Sequence, residues 1–425
     1  MSNLSRRSLL QTGITLGPYG IAQALWPSWL PRVAFARNGV AGDVIVCVFL
    51  RGGADGLNMV VPFGDPAYYQ ARPVLAIPRP DSHDANRALP LDDFFGLNPD
   101  MRSLHDLFLS GRLTAIHAAG APHVSRSHFE AMDLLERGLE ERTGADSGWL
   151  GRHLMATAHA DDSPLRAIGW DEMLPTSLRG YVSANAFRSI SEYHLNCDHA
   201  QADQMVMTLA TLYQDHQPNM LPALNQAAQA TIDALGIVRQ IDVDQYRPAN
   251  KAVYTDSDFG RGLKQTAALN KAGVGLEVAC IDHGNFDTHI LQGVTLDHGV
   301  GSFPQLVRDF SDNMRAFHDD LADYMSHVTV VVMSEFGRRV QENGAGGTDH
   351  GRGGVMYVMS EHLAPKPVVA KWTGLNPDFL ADGDLQITID YRDVLAELLS
   401  KRTVDTDLAN VFPGHVIRPV GVFRG

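Results

Sequence analysis

Residues 329–360 read TVVVMSEFGRRVQENGAGGTDHGRGGVMYVMS. Two apolar runs, 329–333 and 355–359, flank a polar loop rich in glycine. Short continuous apolar runs bounded by Gly have the pattern of buried strands in a parallel sheet. The loop opens with Glu335 just past the first run and ends with Asp349 and His350 just before the second. In open α/β sheets, ligands collect outside the carboxyl ends of the strands. A carboxylate at such an end, with an Asp-His pair returning to it, offers the groups of a metal or acid–base site. The bland alternative is a solvated connection whose carboxylates cap helices, and the other strand ends decide between the two.

Residues 43–50 (DVIVCVFL) form a strand-length run that stops at Arg51-Gly52-Gly53-Ala54-Asp55-Gly56. Residues 113–119 (LTAIHAA) read as the next strand, followed by a turn and a helix starting at Ser127. There Ser127-His128-Phe129-Glu130 fits a capping box. Residues 165–169 and 276–281 read as strands, and 368–372 as an edge strand. Helical spacing marks 100–109, 148–158, 302–325 and 391–401. Residues 62–90, rich in Pro and polar side chains, read as an irregular excursion. Strands alternating with helices predict an α/β fold: a doubly wound, mainly parallel sheet with helices on both faces. Between about 193 and 272 only helical patterns appear, which predicts a helical insertion capping the carboxyl ends of the strands.

The charge balance narrows the function. The chain of 425 residues has a net charge of −14, and from residue 37 onward it carries 32 basic and 49 acidic residues. That excludes a nucleic-acid backbone as the natural partner. Residues 1–36 read as a twin-arginine export signal. Arg6 and Arg7 precede a moderately apolar stretch, and Ala34-Phe35-Ala36 has the form of a cleavage site. Gly, Pro and Gln interrupt every run long enough to span a bilayer, so no stable membrane anchor is expected in the mature form, residues 37–425. The expected partner is the twin-arginine export machinery, and the expected location is periplasmic or secreted. Cys47 and Cys280 fall in apolar runs, and no C-x-x-C spacing points to thiolate-bound zinc.

Acidic and imidazole side chains follow several of these strands. Asp287 and His289 are two apart after one strand, and Asp55 sits in a Gly-rich loop after another. Asp, Glu and neutral His are ligands of zinc, manganese and related divalent ions, and two such ions can hold both oxygens of an in-line displacement. Asp55, Asp287, His289, Glu335, Asp349 and His350 are the candidate metal ligands. Ser127 opens a helix whose N–H groups favour an anion, which makes it a candidate nucleophile, with Ser125 as the other candidate. A pure helix cap is the structural reading of the same serine. Arg126, like Arg51, has the chemistry to bind an oxyanion or to form an ion pair.

The segments FLRGGADGLNMVVP, RSHFEAMD, NFDTH and SEFGRRVQENGAGGTDHGRGG, with the twin-arginine leader, resemble the bacterial domain-of-unknown-function family numbered 1501. That family looks like a member of the alkaline phosphatase-like superfamily, which includes phosphatases and sulfatases. The resemblance implies a doubly wound α/β core and, typically, two metal ions bridged by a Ser, Thr or formylglycine nucleophile. It places Asp55 as the first-strand metal carboxylate and Ser127 or Ser125 at the nucleophile. It places Asp287 and His289 as a metal pair, Glu335 where the superfamily has an Asp-His pair, and His350 at the last His. Phe336 replaces the His of that Asp-His pair, so one metal position lacks a nitrogen. Asp287 and His289 also lie closer together than the superfamily's pair, and Asp282 is the alternative to Asp287 in that pair.

These readings lead to an exported, metal-dependent hydrolase of phosphate or sulfate esters acting on a small anionic ester. The alternative is a non-catalytic periplasmic binding or assembly protein that keeps the fold with a degenerate metal site. The expected cofactor is one or two divalent ions, zinc or manganese.

Overall fold

The computed structural model describes residues 43–123, 125–142, 145–159, 162–180, 183–191, 204, 207–208, 210–211, 222–238, 245–293, 303–404 and 406–424. Its centre is a nine-stranded sheet. In chain order the strands are β1 (Val44–Leu50), β2 (Leu113–Gly120), β3 (Ala167–Gly169), β4 (Ala184–Ala186) and β5 (Val278–His283). β6 (Val328–Met333), β7 (Gly354–Met359), β8 (Val368–Ala370) and β9 (Ile389–Asp390) complete it. The spatial order is β8-β2-β7-β6-β1-β5-β3-β4, with β9 also paired to β2.

The flanking helices that matter here are α1 (His128–Arg137), α2 (Trp149–Ala156), α3 (Asp258–Ala272), α4 (Phe303–Asp320) and α5 (Tyr391–Arg402). Successive side chains of a strand point to opposite faces, and β1 serves both. Val44, Val46, Val48 and Leu50 pack into a core with Phe259 and Leu263 of α3 and Phe310 and Phe317 of α4. Ile45, Cys47 and Phe49 pack into a second core with Trp149 and Leu154 of α2 and Leu395 and Leu399 of α5. A strand buried on both faces needs an unbroken apolar run, which is why this stretch shows no alternation.

β7 departs from the parallel arrangement expected of it: it runs antiparallel to both β6 and β2. A parallel return needs a crossover of a dozen or more residues, usually helical. Residues 334–353 contain no helix and instead fold back on themselves, with bridges such as Arg338 to His350. The chain therefore re-enters the sheet from the edge it left. All other pairings of the large sheet are parallel. The excursion after β1 is also more ordered than its composition implies, since Val60–Val61, Leu89–Pro90 and Gly96–Leu97 form a small antiparallel sheet.

Of the expected helical cap at about 193–272, residues 193–203, 205–206, 209, 212–221 and 239–244 lie outside the described residues. Its last helix, α3, lies along the sheet. Gly262 approaches Ile281 of β5, and Phe259 stacks on His283 with ring centroids 4.7 Å apart. α3 therefore belongs to the layer covering one face and is not part of a lid. Among the described residues no helix is long and apolar enough to cross a membrane.

The loops after β1 and β5 meet at Gly52. Its φ is +116°, and a Cβ there would lie 2.5 Å from the backbone nitrogen of Asp287. Only Gly permits both that backbone and that approach. Gly52→Ala should cost at least about 2 kcal/mol of stability, read as a lowered urea midpoint at unchanged slope.

Candidate metal centre

The site forms where β2, β7, β6, β1 and β5 adjoin. The loop after β5 is anchored first. Phe286 is fully buried and meets the rings of His283 and Phe303 edge-on, at 5.1 and 6.4 Å. Asp287 and His289 emerge just beyond this plug. The loop between β6 and β7 supplies Glu335, Asp349 and His350, and α1 begins with His128.

Arg338 joins these segments. Its guanidinium is fully buried and donates to the carbonyls of Gly53 (2.6 Å), Thr348 (2.7 Å) and Phe286 (2.9 Å), and to that of Gly52. It also donates to Asp287 Oδ1 at 2.7 Å. Three loops are thus held by one side chain, and the carboxylate of Asp287 is turned toward the imidazoles.

Three imidazoles surround Asp287. His350 Nε2 lies 2.9 Å and His289 Nε2 3.0 Å from Asp287 Oδ1, and His128 Nε2 lies 3.4 Å from Oδ2. The Nε2 atoms of His289 and His350 are 3.0 Å apart. Each ring is held from behind at Nδ1. His128 Nδ1 donates to Glu335 Oε1 at 2.8 Å, His289 Nδ1 to Asp349 Oδ1 at 3.2 Å, and His350 Nδ1 to the carbonyl of Arg126 at 2.9 Å. With the Nδ1 atoms engaged this way, the Nε2 atoms all face the Asp287 carboxylate. Such outer acceptors fix the tautomer and orientation of metal-binding histidines. His128, Asp287 and His350 offer ligand atoms within 4.8 Å of one another. His128 Nε2 is buried without a hydrogen-bond partner.

The predicted residues divide accordingly. Asp287, His289 and His350 converge. Glu335 and Asp349 stand one step back, each on the far nitrogen of a histidine. Glu335 is 1% exposed, and its oxygens also accept from the Gly52 N–H and the Ser334 hydroxyl. Asp55 does not join the imidazoles. It is fully buried against Arg72, 2.6 Å away, and accepts from Gln292 at 2.5 Å, so its charge is already compensated. Asp282 pairs with Arg51 at 2.8 Å and is no substitute for Asp287. Arg51 also reaches Glu136 at 3.1 Å, so it is not free to hold an oxyanion.

Ser127 is the N-cap residue of α1, but its side chain caps nothing, contrary to the capping-box pattern. Ser125 takes Glu130 instead, at 2.7 Å, which removes the Glu from the reciprocal bond a capping box needs. Ser127 is exposed, beside His128. Arg126 turns its guanidinium to Asp384 and contributes only its carbonyl to the imidazole cluster.

Sequence reasoning left His128 at the margin and overlooked Arg338. The signal for His128 was the missing nitrogen at Phe336. The two rings lie 5.0 Å apart, and His128 supplies from α1 an imidazole that Phe336 cannot. No sequence pattern marks Arg338, because its acceptors are mostly backbone carbonyls.

Charge follows the geometry. Burial disfavours the Asp287 anion, but the hydrogen bonds from His350 and Arg338 and the charge of Arg338 outweigh it and push its pKa down to about 2. Burial likewise works against Glu335, and the hydrogen bond from His128 with those of backbone N–H groups holds it below the usual range. His128 is raised, first by its hydrogen bond to Glu335 and then by the charges of Glu335 and Asp287.

Residues 113–418 match the family described as a protein of unknown function (DUF1501), and the chain belongs to that family. No curated protein sequence matches it. Among solved structures it is similar to Ps i-CgsB in complex with k-i-k-neocarrahexaose, at 10% identity and a TM-score of 0.38, over 84% of this chain and 71% of that one. It is also similar to the zinc complex of the C-terminal periplasmic domain of EcEptC from Escherichia coli. The identity there is 11% and the TM-score 0.34, over 76% of this chain and 75% of that one. A third is the PsFucS1 sulfatase from Pseudoalteromonas sp., at 12% identity and a TM-score of 0.33, over 90% of this chain and 74% of that one.

Two measurements probe the centre directly. Arg338→Met should lose about 3 kcal/mol of stability, because several buried carbonyls and Asp287 lose their donor at once, and chemical denaturation reads this. In chelator-treated protein, NMR should find His128 titrating above about 6.5, and Glu335→Gln should bring it back down. A raised imidazole stabilises the fold fully below its unfolded pKa of about 6.5. That contribution should fade as pH rises through the folded value. Asp287 acts in the opposite sense, stabilising above its unfolded value and ceasing to do so as pH falls toward 2.

Proposed function

We propose that this protein is an exported hydrolase of phosphate or sulfate esters that uses a single divalent ion, zinc or manganese, held by His128, Asp287, His289 and His350. One observation carries the reading. Three imidazoles, each tied back at Nδ1, direct Nε2 at one carboxylate, and the buried Nε2 of His128 has no hydrogen-bond partner. Nitrogen lone pairs 3.0 Å apart repel unless a proton or a cation lies between them. Three His and one Asp suit tetrahedral zinc, and manganese accepts the same ligand types.

When bound, such an ion polarises an ester oxygen and offsets the charge that develops on it. The chain's own groups do the rest. Glu335, Asp349 and the Arg126 carbonyl keep the imidazoles in one tautomer. Arg338 fixes the carboxylate. Ser127, exposed at the start of α1, is the candidate nucleophile, and the helix N-terminus beside it favours an anionic ester group. One ion is favoured over two because Asp55 is neutralised by Arg72 and Glu335 is engaged by His128. The same Asp55–Arg72 pair favours the second reading, a periplasmic binding or assembly protein without turnover, since no second cation would hold a leaving oxygen.

Protein purified from its native compartment should carry about one zinc or manganese per chain. His350→Ala should lose the ion. Ser127→Ala should keep it and lose hydrolysis of aryl phosphates and aryl sulfates. Metal affinity should fall on acidification, as His128, whose pKa is raised by its hydrogen bond to Glu335, takes up a proton in place of the ion. A stoichiometric ion with no hydrolysis of either ester would favour the binding-protein reading, and a metal-free native protein would end the metal reading. Export is tested separately: replacing Arg6 and Arg7 with Lys should leave unprocessed protein in the cytoplasm.

A further inference from the structure

Beside the imidazole cluster lies a second concentration of charge. Asp384 is fully buried, and three arginines surround it. Arg126 bonds its Oδ2, Arg339 Nε lies 3.5 Å from Oδ1, and Arg352 Nε lies 4.0 Å from Oδ2. Each guanidinium remains partly open to solvent, with side-chain exposures of 36%, 37% and 24% for Arg126, Arg339 and Arg352. Two other acids lie close. Asp382 Oδ2 is 3.6 Å from Arg352 Nη2 but is 79% exposed, and Asp349 is 56% exposed and already accepts from His289. Exposed carboxylates are screened and compensate little. One buried carboxylate therefore gathers three cations, and Nε of Arg126 and of Arg352 are buried donors without a hydrogen-bond partner.

The position of this group ties it to the metal centre. The carbonyl of Arg126 receives the His350 Nδ1 proton, the Arg339 N–H donates to the Asp349 carbonyl at 2.9 Å, and the Arg352 carbonyl accepts from Gly337 at 2.8 Å. All three arginines are thus built into the backbone that carries the imidazoles. Like charges held together on a rigid frame repel one another, and an anion between them relieves that repulsion. Guanidinium forks match the spacing of oxygens on a tetrahedral anion.

We infer that Arg126, Arg339 and Arg352, gathered by Asp384, form a binding site for a sulfate or phosphate group separate from the imidazole cluster. The anion site stands on these contacts alone. Its use rests on the hydrolase reading: the substrate carries a second anionic group, which the arginines hold while the scissile ester lies at the imidazoles. Asp384 is then a positioning residue that sets the spacing of the guanidiniums and limits their net charge.

The test titrates sodium sulfate and sodium phosphate into the full mature protein by calorimetry, with sodium chloride at matched ionic strength as control. It is run before and after chelation. Saturable binding of sulfate or phosphate should survive chelation. Arg339→Gln/Arg352→Gln should weaken it at least about tenfold with the metal content unchanged. Arg339→Lys, which keeps the charge but not the fork, should weaken it less, and supplies a reading if the double variant fails to fold. No saturable binding over chloride, binding that vanishes with the metal, or unchanged binding in the arginine variants would overturn the proposal. Anion binding that persists in a protein with no esterase activity would leave this site standing while the hydrolase reading falls.

Discussion

The buried guanidinium of Arg338 is the interaction on which the centre depends. Its three nitrogens make five hydrogen bonds, to carbonyls from three loops and to the Asp287 carboxylate, with no exposure to solvent. A buried charge is tolerated only when it is paired and fully hydrogen-bonded, so these loops cannot drift apart without leaving it unsatisfied. Residues 51–55, 284–293 and 334–353, which carry these contacts, contain no helix and no strand of the sheet. Arg338 gives them the order that a helix or strand would otherwise supply.

Around that frame, the imidazoles and carboxylates constrain one another. Every histidine of the cluster has one nitrogen bound to a fixed acceptor and the other turned to Asp287. The carboxylates hold their charge although Glu335 is buried, because His128 and backbone N–H groups stabilise the anion. The result is a set of ligand atoms already arranged for a cation, in which Nε2 atoms approach more closely than neutral lone pairs prefer. Adjacent to it, Asp384 organises three guanidiniums, so that a site for a cation and a site for an anion share the same loops.

Much of the fold was legible. The runs at 44–50, 113–120, 278–283, 328–333 and 354–359 are strands because continuous apolar, β-branched segments bury on both faces of a covered sheet. The direction of β7 was not legible, since an apolar run carries no sign of its polarity. The absence of a helix between β6 and β7 was the available clue. The small sheet after β1 was hidden among prolines, and α3 read as a lid because helical spacing does not say what a helix packs against.

For the site, the sequence by itself determined which strand ends carry imidazoles and carboxylates, and it placed Asp287, His289 and His350 within one candidate set. Polar residues that follow apolar runs must lie at the edge of the sheet, and that rule is local. Tertiary structure alone decided which of them meet. Asp55 follows a strand as Glu335 does, yet Arg72, 17 residues further along, neutralises it. His128 replaces the nitrogen that Phe336 lacks, from a helix more than 200 residues earlier in the chain. Pairing energies fall off over a few ångströms, whereas separation along the chain sets no bound on separation in space.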